Sequence, residues 1–255
     1  MTNLIWGVYP YVVFTLFFVV PVIRMVFRPY SFTTRASGLF GHRLQGLAML
    51  LFHWGIFAVF FGHVAGFVGG GLGLDAWVDL AFYWLALIGG LMVLAGSVMA
   101  LVRRLTVPEV RAMSNQHDDY LVHIFLIAIL GIGLYQVVVE QIFGFAYVVA
   151  PWFVSIWTFS PEPEIMEGAS LLTRVHVFLA LTFFGYFPFT KMVHFWTVPI
   201  NYFVRPYLVM RTNRFHSEDR WEFALRSDKS YLIYLGATIL IGVIAISAYV
   251  QMAVG

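Results

Sequence analysis

The stretch 50-LLFHWGIFAVFFGHVAGF-67 decides how the chain folds. It contains no Asp, Glu, Lys or Arg, and it is nearly as long as the run of about 20 apolar residues that carries an α-helix across a bilayer. Yet it holds two imidazoles, His53 and His63. Lipid penalises ionisable side chains, so inside a span they mark function by default.

The rest of the chain agrees with a membrane setting. Of 255 residues, 61% are hydrophobic and 11% charged, and mean hydropathy is +0.84. Soluble domains are about 45–50% apolar and about 25% charged. There is no cysteine, which excludes disulfides, zinc–thiolate sites and cysteine-ligated iron–sulfur clusters within this chain. The start, MTNLIWGVYPYVVF, lacks a basic n-region and a small-residue cleavage site, and reads as a first span.

Apolar windows predict spans at 5–27, 45–68, 78–101, 121–143, 171–196 and 231–254. The expected fold is an all-α integral membrane bundle of five spans plus a sixth. Its divisions are a five-helix domain over 1–200, a basic loop over 201–230 and a C-terminal helix over 231–255. Between spans four and five, GFAYVVAPWFVSIWTFSPEPEIMEG carries the Trp and Tyr of an interfacial segment. Arg24, Arg28, Arg35 and Arg43 follow span one. Arg103, Arg104 and Arg111 follow span three, and a further basic group from Arg205 to Lys229 precedes span six. The alternation puts these loops in the cytoplasm and both termini outside.

His42, His117 and His216 fall in cytoplasmic loops, where a solvated imidazole is ordinary, and His123 reads as interfacial beside HDDY. Four histidines remain inside spans two and five. On a regular helix, His176 and His194 share a face about 27 Å apart, and His53 and His63 are separated by about 15 Å. Because these spans run oppositely, His53 can face His194 at the inner side and His63 can face His176 at the outer side. Two pairs at two depths suit two b-type haems, each iron held axially from two helices. Bis-histidine ligation leaves the iron closed to oxygen, giving an electron-transfer site, and calls for a hydrogen-bond acceptor on each second ring nitrogen. Pro188 offers a kink that absorbs the unequal separations. Gly55, Gly62 and Gly66 leave room for a flat macrocycle or serve close helix packing.

YPY (9–11), FHWGIFAVFFGHVAG (52–66), RRLTVPEVRA (103–112) and RVHVFLALTFFGYFPFTKMVHFWTVPINY (174–202) resemble the gamma subunit of membrane-bound respiratory nitrate reductase. The resemblance covers about residues 4–212. It implies a di-haem cytochrome b of a prokaryotic cytoplasmic membrane that oxidises membrane quinol outside and passes electrons inward. An iron–sulfur (beta) subunit and a molybdenum (alpha) subunit that reduces nitrate would be its cytoplasmic partners. It assigns His63 and His176 to the outer haem, His53 and His194 to the inner one, and Gly62 and His63 to the edge of the quinol site. The family's lysine near the outer end of span three is absent from DAWVDLAFYWLALIGG (75–90). Asp79, Tyr83 and Trp84 are the quinol-contact candidates there, and Asp79 also reads as an ordinary loop acid. Carrying electrons inward while protons stay outside is worth about 2.3 kcal/mol per charge per 100 mV.

Other readings follow from the same residues. A related di-haem quinone subunit could serve sulfur metabolism or nitrite oxidation, and a transporter could use the histidines as a proton relay without haem. Lipid is the surrounding partner, and no nucleic acid is expected.

Overall fold

The computed structural model describes residues 2–27, 42–72, 75–140 and 149–197, with side chains left out over 42–43, 67–72 and 75–82 and at Thr197. Within them the helices are α1 (Tyr9–Phe27), α2 (His42–Leu72), α3 (Asp75–Thr106), α4 (Pro108–Met113), α5 (Val122–Tyr135), α6 (Val149–Trp157) and α7 (Leu171–Tyr186). Wider π-helical turns precede α1 (Asn3–Val8) and α5 (Gln116–Leu121) and follow α5 (Gln136–Glu140). Five stretches are long and apolar enough to cross a membrane: Asn3–Phe27, Leu44–Gly66, Tyr83–Thr106, Gln116–Glu140 and Leu171–Phe189. The expected sixth span and the 201–230 loop lie outside the described residues.

The chain divides into two units, Met1–Phe14 with Arg35–Tyr186, and Thr15–Thr34 with Phe187–Gly255. In the first, α2 packs chiefly on α3, α3 on α5, and α5 on α7. The α2–α3 contact is a seam of small residues. A Cβ on Gly55 would meet the Val93 backbone nitrogen at 2.7 Å, one on Gly89 would meet Ala58 at 2.8 Å, and one on Gly96 would meet the Phe52 nitrogen at 2.7 Å. Without a hydrophobic drive between helices in lipid, close backbone approach of this kind supplies the association. Gly62 lies on the same stripe, 3.4 Å from Leu85. The structure thus gives Gly55 to helix packing, whereas at Gly62 an added Cβ would make only ordinary contact.

A second core joins the start of α1 to α6, α7 and a 3₁₀ turn at Pro163–Gly168. Trp152 donates its indole N–H to the Trp6 carbonyl at 2.8 Å and meets that ring edge-on. Both tyrosines of YPY fasten α1 here. Tyr9 shares a hydrogen bond with Thr182 (3.0 Å), and Tyr11 donates to the Ile156 carbonyl (3.0 Å). The nine described residues of α6 rise only about 14 Å, less than half the hydrocarbon thickness of a bilayer.

RRLTVPEVRA forms a corner. α3 ends at Thr106, and Pro108 opens α4 at a position where its missing N–H costs nothing. The Arg104 guanidinium pairs with Asp119 at 3.0 Å, and Asp119 also accepts the Asn115 N–H.

One expectation is overturned. Span five is not one helix through His194: α7 ends at Tyr186, followed by 3₁₀ turns at Phe187–Phe189 and Lys191–Thr197. Pro188 removes an N–H from the ladder and clashes with the preceding turn. The five-turn, shared-face arithmetic for His176 and His194 therefore fails. In the second unit, Arg24 donates to the Pro188 carbonyl and, at 3.4 Å, to that of Thr190. Thr190 caps the new turn by accepting the Met192 N–H at 3.1 Å.

Candidate functional site

His63 and His176 both belong to the first unit, on α2 and α7. Their imidazoles are close enough to interact electrostatically. His63 is half-buried and His176 buried. The His63 Nδ1–H donates to the Val59 carbonyl at 2.7 Å, one turn back along α2. A carbonyl only accepts, so the proton must be on Nδ1, and Nε2 carries the lone pair a metal would use.

His53 and His194 repeat that arrangement. The His53 Nδ1–H donates to the Met49 carbonyl at 2.8 Å, and that of His194 to the Lys191 carbonyl at 2.7 Å. The second-nitrogen acceptors that the sequence could not name are backbone carbonyls. His53 is exposed on α2, while His194 lies in the second unit, and each is described within its own unit.

His176 differs. Its buried Nδ1 has no partner meeting hydrogen-bond geometry, although the Ile129 carbonyl of α5 lies against the ring. Gly133 of α5 lies against the imidazole, where a Cβ would come 3.0 Å from Cε1. One turn along the pair, buried Gln136 donates its amide N–H to the Thr173 hydroxyl at 2.6 Å, and Thr173 is linked to Ser170 at 3.0 Å. Gly133, Gln136 and Thr173 escaped the sequence reading. The available signal was a buried amide in an otherwise apolar run, GIGLYQVVV.

The quinol candidates lie near the α2–α3 seam. Gly62 is buried opposite Leu85, two residues beyond half-buried Tyr83, and Trp84 is exposed. Asp79 falls within α3, but its side chain is outside the description. His123 is buried at the start of α5, with its ring edge-on to Phe52 at 6.3 Å.

Among the described residues no three His, Cys, Asp or Glu side chains gather as a metal cage. The candidate donors are instead single imidazoles, His53 and His63 on α2, His176 on α7 and His194 in the turn at Lys191–Thr197, a donor type that fits axial haem ligation, where the porphyrin supplies the other four donors.

Five apolar spans with histidines set among them define a polytopic helical membrane protein. The sequence matches the family described as nitrate reductase gamma subunit over residues 2–213. It is 32% identical to the respiratory nitrate reductase 2 gamma chain of Escherichia coli K12 over 218 residues, covering 82% of this chain and 96% of that one. With the nitrate reductase gamma chain of Bacillus subtilis 168 it shares 28% over 217 residues, covering 82% and 97%. It is 33% identical to the nitrate reductase-like protein NarX of Mycobacterium tuberculosis H37Rv over 224 residues, covering 83% of this chain. The chain spans only about a third of the length of NarX, 34%. The chain belongs to the nitrate reductase gamma subunit family.

Proposed function

We propose that this chain is the electron-transfer subunit of a membrane-bound nitrate reductase. It would take electrons from quinol at the outer face and deliver them to an iron–sulfur subunit and a molybdenum subunit at the cytoplasmic face. The observation that supports the reading is that His63 and His176, on two spans of one unit, lie within electrostatic reach of each other, with Gly133 against the second ring. Two b-type haems, when bound, supply one-electron redox chemistry with both axial positions filled. His63 and His176 would hold the outer one, and His53 and His194 the inner one.

The protein's own groups set the ligand state. Backbone carbonyls at Met49, Val59 and Lys191 accept Nδ1–H from three of the imidazoles, which orients each ring and leaves Nε2 as the atom that would meet iron. A neutral ring in an apolar span also avoids the cost of a buried charge. For quinol, the absence of a Cβ at Gly62 leaves space beside His63, and the Tyr83 hydroxyl is a candidate partner for a quinol hydroxyl. Asp79 is the candidate proton acceptor toward the outer surface.

The reading is tested on the purified membrane complex. A reduced-minus-oxidised spectrum should show a b-type α-band with two haems per chain, and its absence refutes the cytochrome. Molybdenum and nitrate-reducing activity should co-purify; a haem-bearing complex without molybdenum would reassign the oxidant.

A further inference from the structure

The proposed ligand histidines are not held alike. His53, His63 and His194 each donate Nδ1–H to a carbonyl three or four residues earlier, so each ring is oriented by its own element. His176 has no such bond to its own helix, and its ring is oriented across the α5–α7 contact, by the Ile129 carbonyl and by Gly133, both on α5. That contact works only in one register. Sliding α5 by one residue would replace Gly133 with Ile132 or Leu134, whose side chains occupy the place of the ring.

We propose that Gln136 and Thr173 form a polar clamp that fixes this register and so positions His176 for the outer haem. Gln136 lies three residues beyond Gly133, and Thr173 three residues before His176, so the two contacts are adjacent rungs of one antiparallel pair. Both clamp residues are buried, and the bond between them is short at 2.6 Å. Thr173 is itself anchored, because the Ser170 hydroxyl bonds its Oγ1 at 3.0 Å and accepts its N–H at 3.1 Å. On the other helix, the Gln136 N–H bonds both the Gly133 and Ile132 carbonyls where α5 widens into a π turn. Such π turns are frequent at functional sites. An amide–hydroxyl pair is directional where the aliphatic packing around it is not.

The clamp rests on the haem reading of His176, and the experiment separates the two. In the intact membrane complex, the low-spin electron paramagnetic resonance signals and midpoint potentials of both haems are recorded for wild type, Gln136→Leu, Thr173→Val and Thr173→Ser. The expected result is a displaced outer-haem signal and potential in Gln136→Leu and Thr173→Val, an inner-haem signal unchanged in each, and wild-type behaviour in Thr173→Ser. Outer-haem occupancy should fall, on the scale of the roughly 10-fold affinity losses that follow removal of supporting partners. Near-isosteric Thr173→Val with its serine rescue carries the test where Gln136→Leu fails to assemble. An unchanged outer signal in folded variants, even with lower thermal stability, overturns the clamp and leaves the haem reading standing. A wild-type complex without b-type signals overturns both.

Discussion

At the scale of single residues, the four proposed haem ligands have second ring nitrogens with different surroundings. His63→Ala or His176→Ala should remove the outer haem and spare the inner one, whereas His53→Ala or His194→Ala should do the converse. Haem stoichiometry and redox titration of the purified complex report this, and equal loss of both haems in every variant would contradict the pairing. Gly133 allows a subtler test. Alanine is the better helix residue by about 1 kcal/mol, so propensity alone would make Gly133→Ala stabilising. Its Cβ, however, would stand 3.0 Å from His176 Cε1. The expected outcome is a shifted outer-haem spectrum and weaker haem retention, and a wild-type spectrum with raised thermal stability would show that the ring has room to move. The histidines were legible in the sequence because ionisable groups stand out in an apolar run. Gly133 was not, since a glycine in a span reads alike whether it faces lipid, a helix or a ring.

At the scale of elements, the α2–α3 seam explains why glycines recur along span two. Gly55 is opposed by backbone, with the Val93 nitrogen at 2.7 Å and the Gly89 carbonyl at 2.8 Å from any added Cβ, so neither helix can yield by turning a side chain. Gly46, on the same helix, has nothing within 4 Å. Gly55→Ala should therefore destabilise by the roughly 1–3 kcal/mol typical of overpacking, while Gly46→Ala should be neutral or stabilising by up to about 1 kcal/mol. Thermal unfolding of the detergent-solubilised protein distinguishes them; equal midpoints would mean that the seam tolerates a methyl group. Helix existence was easy to read, because nothing else satisfies the backbone in hydrocarbon. Helix continuity was not. Pro188 announced a kink, but Thr190 as a cap and Arg24 as a donor to the freed carbonyls depend on residues distant in sequence, and together they replace the last part of span five by 3₁₀ turns.

At the scale of the whole molecule, large apolar side chains are exposed on every described span, among them Leu4, Trp54, Ile88, Ile124 and Leu171. In water such surfaces would drive aggregation, while in a bilayer they meet the solvent they match. Which way the spans run then depends on the basic residues, since short loops rich in Arg and Lys stay cytoplasmic. The absence of cysteine makes this directly measurable, because each introduced thiol is the only one in the chain. Glu164→Cys, after α6, should react with a membrane-impermeant maleimide added to spheroplasts. Glu109→Cys, in α4, should react only after permeabilisation, as should Ser217→Cys in the basic stretch. Ala253→Cys tests the sixth span: labelling from outside places a crossing between it and Ser217, and labelling only after permeabilisation removes that crossing. Reversed labelling of Glu164 and Glu109 would turn the bundle over. Quinol oxidation would then face the cytoplasm, and charge separation across the bilayer, worth about 2.3 kcal/mol per charge per 100 mV, would be lost as a consequence of the reaction.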